Sequence, residues 1–213
     1  DDEAEGVDLS EFPCVEWPPT ASCTWIDTQD AWEMALQKIA TAKVVAVDTE
    51  WWDSGKGPAL VQLAVGDGLD GAECFLVDTL DASAELVASL LSWLSNPALQ
   101  IIGWSFQEDD KRFRELDAWQ REAMNSSEHE ESGDGLRLSV TDLQPVCRKM
   151  MRLTMPPSLA RAAAFLIGQR VDKTEQCSDW RGRPLTDTQR VYAALDACVL
   201  LELLRVLQQQ GRV

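Results

Sequence analysis

Val44-Val45-Ala46-Val47-Asp48-Thr49-Glu50-Trp51-Trp52 runs from four apolar residues into two carboxylic acids spaced two apart. A short apolar run rich in β-branched residues reads as a buried strand. Side chains alternate along a strand, so Asp48 and Glu50 leave it on the same side. Two carboxylates converging where a strand emerges repel each other, and a divalent cation removes that conflict. Taken alone, an Asp-x-Glu pair is more often an exposed strand end, so its meaning depends on the rest of the chain.

Working outward, residues 28–40 carry Ala31, Trp32, Ala35, Leu36 and Ile39 at helical spacing, and residues 53–58 are turn chemistry. Further strands are expected at 59–65, 74–77, 99–103 and 138–141, and helices at 84–94, 106–119, 143–151 and 157–167. A closing helix starts at Thr186, where Gln189 three residues on completes a capping-box pattern, and runs to about Gln210. Five strands placed early and alternating with helices later predict an α/β fold, a mixed five-stranded sheet flanked by helices. Residues 1–22 are acidic and contain prolines, and read as a flexible or loosely docked lead-in to a domain at 23–213. The polar, acidic run 125–135 reads as a disordered insertion within that domain.

Two other places carry acids in an arrangement that chemistry can use. Ile102-Gly103-Trp104-Ser105-Phe106 leads a strand through a glycine into a helix whose first turn holds Glu108, Asp109 and Asp110. Acids there complement the helix dipole without any further role, which is the competing reading. In the closing helix Tyr192 and Asp196 are four apart and share one face, beside the apolar stripe of Val191, Leu195 and Val199. A phenol and a carboxylate at a buried edge need partners, and a metal with its bound water supplies them; a core-boundary Tyr and a locally bonded Asp are the alternative.

The formal net charge of −17 argues against phosphate binding, which favours a positive surface. Its distribution weakens that objection: residues 1–100 hold 3 basic and 19 acidic side chains, whereas residues 136–213 hold 12 basic and 7 acidic ones. A basic strip from Arg148 to Arg190 remains for phosphates, with a solvated face as the bland reading. The six cysteines form no C-x-x-C pair, which favours free thiols in a reducing compartment, cytoplasm or nucleus, over a zinc ribbon. No run approaches the ~18 apolar residues of a membrane span, and the acidic start lacks the parts of a secretion signal.

In order and spacing, Asp48-Thr49-Glu50-Trp51, then Gly103 to Asp109 with Phe113, then Tyr192-Ala193-Ala194-Leu195-Asp196, together resemble the three motifs of the DEDD exonucleases. The Y-x-x-x-D form of the third motif is that of the tyrosine subclass (DEDDy) of the ribonuclease D superfamily. Asp110 follows Asp109, but the register from Gly103 and Phe113 favours Asp109. Leu60-Val61-Gln62-Leu63 and Asp142-Leu143 are also similar to ribonuclease D relatives, and residues 171–186 are especially similar to the Nibbler (Mut-seven) branch. The likeness covers residues 28–210. It implies a ribonuclease H-like fold and a metal-dependent 3′-to-5′ exoribonuclease acting on single-stranded RNA 3′ ends, releasing nucleoside monophosphates, with small-RNA trimming as its use. It also implies two divalent cations, Mg²⁺ or Mn²⁺, held by Asp48, Glu50, Asp109 and Asp196, with Tyr192 orienting the attacking water or helping to take its proton.

The single histidine, His129, lies in the polar run and reads as solvated, which sets aside the His-bearing sister subclass. Trp51, Trp52 and Phe106 are candidates to stack on the terminal nucleotide, each with core packing as its competing reading. Lys173, Arg181 and Arg183 are candidates for backbone phosphates, with a structural ion pair as the alternative for Arg183. Two functional alternatives stay open at this level: a DNA-directed exonuclease, and a non-catalytic nucleic-acid or protein-binding module on the same fold.

Overall fold

The structure is a computed structural model, and it describes residues 7–52, 57–124 and 136–212. Among the described residues there are six strands, β1 (Ser22–Ile26), β2 (Val44–Glu50), β3 (Leu60–Val65), β4 (Glu73–Asp78), β5 (Gln100–Gly103) and β6 (Val140–Asp142). Six α-helices accompany them, α1 (Gln29–Ile39), α2 (Ala84–Leu94), α3 (Gln107–Met124), α4 (Leu143–Met150), α5 (Leu159–Ile167) and α6 (Asp187–Gln209). One sheet has the order β1-β4-β3-β2-β5-β6, antiparallel across β4-β3-β2 and parallel at β1-β4, β2-β5 and β5-β6.

The mixed sheet flanked by helices is the expected class, with one strand more than the five expected. The additional strand is β1, whose Thr24, Trp25 and Ile26 pair with Phe75, Leu76 and Val77 of β4. Only Ile26 of β1 is buried, because the strand forms the sheet's edge. An edge strand lacks the continuous apolar run that marked the inner ones; its β-branched and aromatic content was the available signal.

Alternation divides the core in two. From β2, Val45 and Val47 pack with α1, α2 and α3 through Trp32, Leu90 and Phe113. Ala46 faces the other layer, built on α4, α5 and α6 through Leu143, Ala163 and Ala197. α6 lies across β2, β3 and β4. Ala193, Ala194 and Ala197 are fully buried at that contact, and their small side chains let the helix backbone approach the sheet closely. Thr186 and Gln189 make the expected capping box, which satisfies donors left unpaired at the start of α6.

The described part of the lead-in contacts the folded chain. A 3-10 turn at Leu9–Glu11 leads to Val15, buried at 5% exposure, and Cys14 bridges to Arg170. Val15 donates its N–H to the Arg170 carbonyl at 2.8 Å, and Arg170 donates back to the Pro13 carbonyl at 2.9 Å. Two strand-like hydrogen bonds plus a buried valine hold this segment despite its acidic composition. The expected insertion at 125–135, with His129, lies outside the described residues. No helix among the described residues is long and apolar enough to cross a membrane.

Candidate active site

β2 and α6 bring the acids together. Asp48 and Glu50 project from the end of β2 on the side that α6 covers, and Asp196 comes down from α6. Ligand oxygens of Asp48, Glu50 and Asp196 lie within 4.8 Å of one another. These are hard oxygen donors, and three of them converging suit Mg²⁺ or Mn²⁺ rather than a thiol-preferring metal. They line an open cleft of about 1220 Å³, together with Asp109, Tyr192 and Lys173.

Asp109 stands outside the group of three. Thr49, pointing to the opposite side of β2 from its acidic neighbours, donates its hydroxyl to Asp109. Asp110 turns away and pairs with Arg114 at 2.6 Å, while Glu108 and Asp109 line the cleft and only Asp109 of the two is buried. The turn ahead of α3 is clamped by Asp142, which accepts from Ser105 and Phe106 backbone N–H groups at 3.0 and 3.2 Å. Ser105 there adopts φ 51, a left-handed conformation that few side chains favour. At Gly103 a Cβ would overlap the buried Phe106 ring, so any larger residue there would force that ring to shift. The clamp by Asp142 was not foreseen from sequence beyond its familiar Asp-Leu pattern.

The electrostatics are those of crowded, buried acids. Burial, then Asp109 and Asp196, hold the Asp48 carboxyl well above the usual carboxylate range. Burial, then Asp48, push Glu50 up to about 10. Burial pushes Asp109 up to about 6 against the lowering effect of Thr49. Burial also raises Asp196, opposed by Lys173 and the Tyr192 hydroxyl. Burial and the neighbouring carboxylates keep the Tyr192 phenol protonated far above neutral pH. A site that protonates rather than hold its charges is a site that a cation would stabilise.

The substrate-contact candidates separate. Trp51 and Trp52 are half-buried and line the cleft, and the Arg112 guanidinium lies 4.4 Å from the Trp51 ring centroid. Phe106 does not face the cleft: it is 5% exposed and stacks on Phe113 in the core, centroids 6.1 Å apart. The turn that aims Asp109 into the cleft sends the adjacent ring inward.

Arg183 is bonded to Asp78, at 2.6 and 2.8 Å, and to the carbonyls of Ala59, Trp180 and Gly182, the ion pair named as its alternative reading. Arg181 is exposed and doubly bonded to Asp179, away from the cleft. Lys173 lines the cleft but is paired with Asp196 at 3.3 Å. Of the basic strip, Arg170 and Lys173 reach the cleft. Leu9 and Ser10 line it too, a contribution from the lead-in that composition concealed.

A family model described as 3′-5′ exonuclease matches residues 23–212. The chain is 28% identical over 167 residues to exonuclease mut-7 of Caenorhabditis elegans, covering 74% of this chain and 18% of that protein. It spans less than half the length of the relatives it matches. The Nibbler EXO domain of Aedes aegypti has the same fold, with a TM-score of 0.71 at 22% identity over 92% of this chain and 91% of that one. The ribonuclease D of Trypanosoma brucei, solved in complex with RNA U12, superposes with a TM-score of 0.63 at 20% identity over 86% of this chain and 61% of that one.

Proposed function

This chain belongs to the 3′-5′ exonuclease family, and from that premise we propose that it shortens single-stranded RNA from the 3′ end, releasing nucleoside monophosphates with the help of two divalent cations, Mg²⁺ or Mn²⁺. The observation that carries the reading is the convergence of Asp48, Glu50 and Asp196 within 4.8 Å in an open cleft beside Tyr192. Likeness to a ribonuclease D crystallised with RNA supports RNA over DNA, and the likeness of residues 171–186 to the Nibbler branch extends the proposal to trimming of small RNAs. Six free cysteines support a reducing compartment, cytoplasm or nucleus.

Asp48, Glu50 and Asp196 would hold the cations, with Asp109 supporting them from the start of α3. Four carboxylates against two divalent cations come out neutral, which makes an acidic cleft compatible with phosphate. Bound there, the cations would lower the pKa of a water and stabilise charge on the leaving oxygen. Tyr192, whose hydroxyl stands beside Asp196, would orient the attacking water by hydrogen bonding or help take its proton. Trp51 and Trp52 offer faces on which a terminal base can stack whatever its identity.

The test is incubation of 5′-labelled RNA and DNA oligomers of one sequence with the protein and Mg²⁺ or Mn²⁺. A ladder of shortened RNA that chelator and Asp48→Ala both abolish supports the reading. Shortening of DNA in preference to RNA would reassign the substrate, and binding with no shortening would make the chain a nucleic-acid-binding module.

A further inference from the structure

Lys173 lies in the connection between α5 and α6, and its ammonium is 3.3 and 3.4 Å from the two carboxylate oxygens of Asp196. It is also 3.5 Å from the Tyr192 hydroxyl and 5.6 Å from the centre of that ring. The side chain of Asp196 is 4% exposed and that of Lys173 31%, so the ammonium seals the carboxylate from one side while facing the cleft on the other. The backbone beneath it is fixed: Asp172 accepts from the Thr174 N–H at 3.0 Å, and the Lys173 carbonyl accepts from Gln176 at 3.2 Å. A held backbone below a flexible four-carbon stem lets the charge move without moving the chain.

Asp196 is one of the three acids whose oxygens converge. An ammonium bonded to both its oxygens occupies the positions a divalent cation needs, and the two cations repel. Lys173 also opposes the raising of Asp48, Glu50 and Asp196, so its charge serves the whole group.

We infer that Lys173 is an internal counter-cation of this site: it neutralises Asp196 while no divalent cation is bound, competes with that cation for the same oxygens, and swings into the cleft when displaced. The inference rests on the reading of Asp48, Glu50 and Asp196 as metal ligands. It gives Lys173 a positioning role at the acids, distinct from a fixed phosphate contact.

The experiment is calorimetric titration of Mn²⁺ into the wild-type protein, Lys173→Met, Lys173→Gln and Asp196→Asn, without nucleic acid. Removing the competitor should tighten Mn²⁺ binding by about threefold to tenfold in both lysine variants. In chelator the same variants should melt below wild type, since Asp196 loses its partner, and Mn²⁺ should raise their melting temperature by more. A readout free of mutation is acetylation of Lys173 by an N-hydroxysuccinimide ester, followed by mass spectrometry. Mg²⁺ should increase modification several-fold as the ammonium leaves Asp196.

Mn²⁺ affinity unchanged or weakened in the lysine variants, with wild-type binding intact, overturns the inference; so does modification that Mg²⁺ slows or leaves alone. If Asp196→Asn titrates like wild type, or wild type takes up no Mn²⁺, the metal-ligand reading itself fails and takes the inference with it.

Discussion

Arg183 and Asp78 form a two-point ion pair, Nε to Oδ2 at 2.6 Å and Nη2 to Oδ1 at 2.8 Å, which ties the segment ahead of α6 to the end of β4. Both side chains are largely buried, at 18% and 8% exposure. The planar guanidinium also serves three carbonyls, so the contact holds the segment leading into α6 against the sheet. Removing one partner leaves a buried charge unmatched. Arg183→Ala should therefore lose about 3–5 kcal/mol of stability in denaturant unfolding. RNA affinity measured at low temperature on the folded fraction should stay near wild type. A large loss of affinity with stability unchanged would return Arg183 to the phosphate-binding role.

Thr49 links β2 to α3 through its hydroxyl bond to Asp109. Thr49→Val keeps shape but deletes the donor that opposes the upward shift of Asp109. The variant should need more Mg²⁺ for half-maximal cleavage, with a rate lower by about tenfold at fixed Mg²⁺, a loss of ~1.4 kcal/mol; Thr49→Ser should recover most of it. A Mg²⁺ titration of initial rates checks both.

The acid group also predicts a pH dependence. Glu50 is raised to about 10, Asp109 to about 6, and Asp48 is raised as well, so the folded chain holds these protons more tightly than the unfolded one. For raised carboxyls the group's contribution to stability is most favourable below the ordinary carboxylate pKa near 4, and it declines as pH climbs through the raised values. On the proposed function a divalent cation would replace those protons. Its stabilising shift in melting temperature should be larger at about pH 8 than at about pH 5, and its binding should release protons. Melting curves with and without Mg²⁺, plus calorimetry in buffers of different ionisation enthalpy, measure this; a shift independent of pH would contradict it.

Trp51 and Phe106 should respond in opposite ways. Trp51 lines the cleft under the Arg112 guanidinium, so Trp51→Ala should raise KM for RNA by losing ~1–3 kcal/mol of stacking, with little change in stability. Phe106 packs on Phe113 inside the core, so Phe106→Ala should cost about 3–5 kcal/mol of folding stability through the cavity it leaves. Steady-state kinetics set beside thermal unfolding separate the two.

Much of this molecule was readable from residue order. The apolar run 44–47, the capping pair Thr186 and Gln189, and the periodicity of α2 each identify an element locally, because a strand's or helix's side-chain spacing is a property of its own few residues. Asp48 and Glu50 share a side of β2 for the same reason. Edge strand β1 escaped, since its partner β4 lies about fifty positions away and only Ile26 needs burial. The order of the chain also could not reveal that Arg183 meets Asp78, that Phe106 turns inward while Asp109 faces the cleft, or that Lys173 reaches Asp196. Those relations depend on which separated segments a packed core brings within a few ångströms, and close packing sets that only when every element is in place.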